Sequence, residues 1–150
     1  MERTLVLVKP DGVQRGLVGD VIGRLERRGL KLVALKLMYV DEALARQHYG
    51  EHSERPFFAG LVEFITAGPV VAMAWEADGA IEIVRATIGQ TNPAVSAPGT
   101  IRGDLAVDIG RNLVHGSDSP VSAKRELELF FKTGEFLDYG RSSDPWIKET

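Results

Sequence analysis

The 150-residue chain contains no cysteine, which excludes disulfide staples, thiolate metal sites and cysteine nucleophiles. It also lacks a long hydrophobic run. Met1-Glu2-Arg3 leads into only the five residues Thr4 to Val8 before Lys9 interrupts, too short for a signal-peptide core or a bilayer span. A cytoplasmic protein with no membrane partner is expected. Charge of one sign is missing too: 18 Lys and Arg against 21 Asp and Glu leave a net −3. No whole-molecule field therefore draws nucleic acid or anionic lipid, and any anionic ligand must be held by a local cluster of donors. The sequence has no GxxxxGK[ST] loop, and Gly12, Gly16 and Gly19 are too widely spaced for a dinucleotide fingerprint. No His, Asp or Glu grouping has metal-ligand spacing along the chain.

What is present suits one globular domain over residues 1–150, with 44% hydrophobic and 26% charged residues. Leu5-Val6-Leu7-Val8 reads as a central strand covered on both faces, and Lys9-Pro10-Asp11-Gly12 as the turn that ends it. Leu17, Val18, Val21, Ile22 and Leu25 recur at helical spacing until Gly29. Leu30 to Val40 is a second strand. Asp41 caps a helix through Tyr49, and Phe57 to Ile65 gives another, ended by Gly68-Pro69. Val70 to Trp75 is a third, buried strand, Ala80 to Ile88 a helix, and Leu113 to His115 a short fourth strand. Ser119 and Pro120 open a last helix to about Phe131, and the tail from Lys132 reads as irregular. The order is that of an α/β chain (an α+β sandwich) with the ferredoxin-like split β-α-β arrangement: a four-stranded antiparallel sheet, an inserted helical pair and a C-terminal helix.

The chain has three histidines. His48 and His52 lie in or just after a polar helix and read as solvated. His115 ends an apolar strand just before a helix start, where α/β proteins expose reactive groups; on position alone a structural role fits equally. From Arg85 to Gly103 there is no acidic residue, while Arg85, Thr91, Asn92 and Arg102 supply donors suited to a polyphosphate. Composition alone fits a surface or subunit-contact loop as well. Glu126 borders the apolar stripe of the last helix, where an unpaired carboxylate is costly. It either reaches water or finds a partner such as an imidazole N–H.

Asn112-Leu113-Val114-His115-Gly116-Ser117-Asp118 resembles the signature of the nucleoside diphosphate kinases. So, in family order, do Lys9 to Gly16, Arg55-Pro56-Phe57-Phe58, Gly68-Pro69-Val70-Val71, Thr91-Asn92-Pro93 and Pro98 to Asp104. The resemblance implies transfer of the terminal phosphate of a nucleoside triphosphate, typically ATP, to a nucleoside diphosphate by way of a phosphohistidine. It implies His115 as the nucleophile, through Nδ1, with Glu126 orienting it and Ser117 assisting. Lys9, Tyr49, Arg85, Thr91 and Arg102 match phosphate-binding positions, and Lys9 and Asn112 match contacts to the sugar. Phe57 matches the platform under the base, with Leu61 and Ile109 beside it. Mg²⁺ is expected on the nucleotide's phosphates, with no metal held by the protein alone. The expected assembly is a homo-oligomer, hexamer or tetramer, with no specific nucleic-acid partner. An RNA-binding module of this fold would need an RNP1-like aromatic run, which the sequence lacks. A carrier passing phosphate from histidine to another protein is the remaining rival.

Overall fold

The apolar run at the N-terminus dictates the centre of the fold. The computed structural model describes residues 1–149, and in it β1 (Glu2–Val8) lies between β3 (Val70–Ala77) and β4 (Val114–Gly116). The sheet order is β2-β3-β1-β4, every pairing antiparallel, with β2 (Lys31–Met38) at the edge. Leu5 and Leu7 face one layer and Val6 and Val8 the other, and all four are fully buried.

Two layers of helices cover these faces. Val6 and Val8 meet α2 (Val18–Arg27) and α5 (Ala80–Ile88) through Val21, Leu25, Val84 and Ile88. Leu5 and Leu7 meet α3 (Glu42–His48), α4 (Phe58–Ile65) and α7 (Pro120–Phe130) through Ala45, Val62, Ile65, Leu127 and Phe130. This is the ferredoxin-like split β-α-β sandwich with α3 and α4 as the inserted pair. Asp41 and Ser119 cap α3 and α7 by accepting from the Leu44 and Ser122 N–H groups.

Several boundaries differ from the sequence reading. Pro10 to Gln14 is a short helix, α1, not a turn; Pro10 sits at its first position, where a missing N–H costs nothing. Gly12 belongs there because a Cβ would lie 2.6 Å from Val8 Cγ1. The second strand ends at Met38, not Val40, and carries a bulge between Leu32 and Ala34. The fourth runs Val114–Gly116, one residue later than expected, because Leu113 leaves the extended region at φ 75°. The segment after α5, read from composition as a loop, contains two short elements: Pro93–Val95 forms a 3₁₀ turn and Ile101–Leu105 a short helix, α6. Thr100 caps α6, and Asp104 accepts from the Gly99 N–H. The tail is ordered as well. Leu137 N–H donates to Val33 O, and α8 (Asp144–Ile147) closes it.

Candidate active site

Antiparallel pairing places His115 opposite Leu7, so its side chain emerges on the α3 and α7 side of the sheet. Gly116, on the other face, is small of necessity, since a Cβ there would meet Ile88 Cδ1 at 2.9 Å. From α7 comes Glu126, 4% exposed. It accepts from His115 Nε2 at 2.9 Å and from Ser117 Oγ at 2.6 Å. Ser117 is held in turn by the Leu5 N–H at 3.3 Å. Burial by itself raises the Glu126 carboxyl, but the bonds and charge from His115, with the bond from Ser117, hold it at about 2. An ionised carboxylate only accepts, so Nε2 carries a proton, and in the neutral form of the ring Nδ1 keeps its lone pair.

His48 departs from the sequence reading. It is 4% exposed, not solvated, and stands edge-on to His115 with ring centroids 4.7 Å apart. Tyr49 and Phe130 flank it at 4.7 and 5.3 Å. Burial and the neighbouring His115 push it down to about 3, so it is neutral. The available signal was the buried side of α3, where Ala45 and His48 fall three residues apart on one stripe. His52 is half-buried and tilts against Phe57 at 5.5 Å. Likewise His48, His115 and Glu126 do form a group with metal-ligand proximity, drawn from three elements and so invisible in linear spacing.

Cations gather behind this couple. Arg102, on α6, is buried and donates to Asn112 O at 3.1 Å, Val114 O at 2.6 Å and Gly89 O at 3.4 Å. Burial and Arg85 bring it to about 10. Arg85, exposed on α5, donates to Gly116 O at 3.2 Å. Burial and Arg102 lower Lys9, at the end of β1, to about 8. Tyr49, at the end of α3, is raised by burial to about 12. Asn112 Nδ2 donates to Thr91 O at 3.0 Å, which ties the loop after α5 to the approach of β4.

The chain is strained where these parts meet. Val114 N–H returns to Asn112 O at 2.9 Å, making a γ-turn about Leu113 at φ 75°. Such a conformation persists only when its surroundings over-determine it. Here Asp11 accepts from the Leu113 N–H at 3.0 Å, and the Leu113 carbonyl accepts from the Lys9 N–H at 2.8 Å. Asp11 is a site-shaping residue that sequence reasoning took for part of a turn.

Phe57, Leu61 and Ile109 stand outside this hydrogen-bonded network. Phe57 and Ile109 are exposed and Leu61 half-buried. Arg111 lies over the Phe64 ring at 4.3 Å, which docks the turn carrying Ile109 onto α4. Phe57, Leu61 and Ile109 thus supply partly exposed apolar surface apart from the buried polar and cationic groups.

A carboxylate-ordered imidazole beside clustered guanidinium and ammonium groups, on a ferredoxin-like sheet, defines a phosphotransferase of the histidine type. Comparison with known proteins agrees. The sequence model described as nucleoside diphosphate kinase matches residues 2–136. Nucleoside diphosphate kinases of Archaeoglobus fulgidus and Natronomonas pharaonis are 59% and 60% identical over 149 residues, with 99% of this chain and 99% and 97% of theirs aligned. A halophilic nucleoside diphosphate kinase from Halobacterium salinarum, solved in complex with CDP, superposes with a TM-score of 0.97 at 53% identity, 99% of each chain being covered. A family member from Babesia bovis gives 0.96 at 47%, over 99% of this chain and 100% of the other. The chain belongs to the nucleoside diphosphate kinase family.

Proposed function

We propose that His115 is the residue through which this chain carries phosphate from a nucleoside triphosphate, typically ATP, to a nucleoside diphosphate. The Nδ1 lone pair attacks the terminal phosphorus. An N–P bond forms, the P–O bond to the departing nucleoside diphosphate breaks, and the oxygen leaves with the bonding pair. Nε2 keeps its proton throughout, and Glu126 neutralises the positive charge that grows on the ring. The second nucleoside diphosphate reverses the sequence, which gives ping-pong kinetics. The observation that carries this reading is the single bond from His115 Nε2 to Glu126, 2.9 Å long, because it fixes the tautomer that leaves Nδ1 free.

The remaining roles follow from chemistry and position. Arg102 has five N–H donors, and those not engaged by the three carbonyls remain for phosphate, beside Arg85, Lys9, Tyr49 and Thr91. Lys9 and Asn112 are assigned to the sugar. Phe57 offers a π-face to any base, and Leu61 and Ile109 bring no groups that read a base edge. The donor set fits a Mg²⁺ that arrives on the nucleotide. Glu126 accepts from His115 and Ser117, Asp11 Oδ2 accepts from the Leu113 N–H, and the other groups are cations or neutral polar side chains. No all-oxygen cage suited to Mg²⁺ is therefore built from the described residues alone. Bound across the phosphates, Mg²⁺ would neutralise charge there. No helix among the described residues is long and apolar enough to cross a membrane, and the cytoplasm is the proposed compartment. The proposed assembly is a homo-oligomer, supported by apolar side chains left open on β2.

Incubation with Mg·ATP and no acceptor tests the reading. One phosphate per subunit should be retained, labile in acid and stable in base, and should be absent from His115→Ala. A label that survives acid, or an intersecting kinetic pattern, would remove His115 from this role.

A further inference from the structure

We propose that His48, His115 and Glu126 form a binding site for one divalent transition-metal ion of the Zn²⁺ class, and that its occupancy silences the enzyme. The three residues come from α3, β4 and α7, and their ligand atoms all lie within 4.8 Å of one another. Nitrogen and oxygen ligands of tetrahedral zinc, with bonds of about 2.0–2.2 Å, stand roughly 3.3 Å apart. His115 Nε2 and Glu126 Oε1 are already 2.9 Å apart, and no pair among the three ligand atoms need close by more than about 1.5 Å.

A second observation is independent of that proximity. His48 is 4% exposed, and among the described residues neither of its ring nitrogens has a hydrogen-bond partner. Buried nitrogens are rarely left this way, because each has lost water without a replacement. A metal ion would take up the lone pair of the ring nitrogen that carries no proton. Two imidazoles and one carboxylate leave a coordination position open to solvent through His115, whose side chain is 24% exposed. That donor set selects borderline-soft cations and not Mg²⁺, which prefers oxygen. Arg125 Nη2, 3.8 Å from Glu126 Oε2, opposes a cation, and so the site fills when metal is raised and is not a permanent centre.

The chemical consequence is a tautomer exchange. A metal on Nε2 displaces the proton that Nε2 shares with Glu126. That proton moves to Nδ1, where it occupies the lone pair needed for phosphoryl transfer; nothing is oxidised and no proton is lost. The binding site stands on geometry alone, whereas the silencing rests on His115 being the nucleophile. Linkage runs both ways: a phosphoryl group on Nδ1 leaves Nε2 protonated, so the phosphoenzyme should bind the metal more weakly.

The test is competition for Zn²⁺ between the nucleotide-free protein and a chromophoric chelator, with Mg²⁺ in large excess, backed by visible absorption of Co²⁺ as a tetrahedral probe. One ion per subunit is expected, bound at least about tenfold more weakly by His48→Phe, by Glu126→Gln and by the phosphoenzyme. Filling the site should reduce the amplitude of labelling by ATP in proportion. If His48→Phe does not fold, Glu126→Gln and the phosphoenzyme decide the matter. Equal affinity in the parent and these forms, or no Co²⁺ absorption, would overturn the site. Metal binding as expected with undiminished labelling would overturn the silencing alone. Metal binding with no labelling in any state would instead overturn His115 as nucleophile.

Discussion

Lys9 is the residue whose charge is most delicately held. Its burial, with Arg102 nearby, brings the ammonium down to about 8, so the free enzyme carries the cation below that pH and a neutral amine above it. A hydrogen bond to a charged group contributes about 1.5–3 kcal/mol, and its loss lowers kcat/KM roughly 10- to 150-fold. The expected profile of kcat/KM for the nucleotide therefore falls as pH rises through about 8, because that parameter reports the free enzyme. Tyr49, raised to about 12, keeps its proton across this range and cannot supply the break. Lys9→Arg should be slower at neutral pH but level across it, since guanidinium stays charged. A parent profile that is flat up to about pH 9.5 would separate Lys9 from the phosphates.

At the scale of elements, two arginines that look alike in the sequence have different work. Arg85 stands exposed on α5 and makes one bond, to Gly116 O. Arg102, on α6, is buried and laces three carbonyls from two segments, Gly89 on one side and Asn112 and Val114 on the other. It thus fastens the loop after α5 to the strained approach of β4. Arg102→Ala should cost at least about 2 kcal/mol of stability, because buried carbonyls lose their donors, and should lower Tm by roughly 4–8 °C. Arg85→Ala should stay within about 0.5 kcal/mol of the parent and lose kcat/KM instead. Thermal melts beside kinetics on both variants decide it. Equal losses of Tm would mean that Arg102 does not hold the loop.

At the scale of the whole molecule, the sheet ends in an open edge. The tail contacts β2 from Leu32 to Lys36, with Tyr139 O–H donating to Leu32 O, Leu137 N–H to Val33 O and Lys36 paired with Glu135. Even so, Leu35, Leu37 and Tyr39 are 50%, 68% and 74% exposed. Apolar side chains along an unpaired edge invite a second copy. Light scattering on the eluting protein should therefore give a multiple of the 16.4 kDa chain, a hexamer or a tetramer. Leu37→Asp should shift it to smaller species while the monomer stays folded. A parent that elutes as a monomer would end the proposal.

Much of this protein was determined by its sequence alone. Leu5 to Val8 had to be a strand covered on both faces, and all four are fully buried. Ser119 and Pro120 had to open a helix, and they do. Glu126 had to find a partner or reach water. Such features are local, set by periodicity, capping and the cost of burying a charge, and local physics is legible in order along the chain. Tertiary structure decided the rest. His48 looked solvated because its helix is polar, yet the stripe it shares with Ala45 turns inward onto His115. Asp11 looked like turn chemistry, but it accepts from the Leu113 N–H, 102 residues on. The acid-free segment read only as a loop, since Arg102 and Asn112, which order it, act across contacts and not along the sequence. Those partnerships exist only once β4 pairs with β1 and brings both ends of the chain to one strand end. That long-range pairing, with its entropy of closure, is what no local pattern encodes.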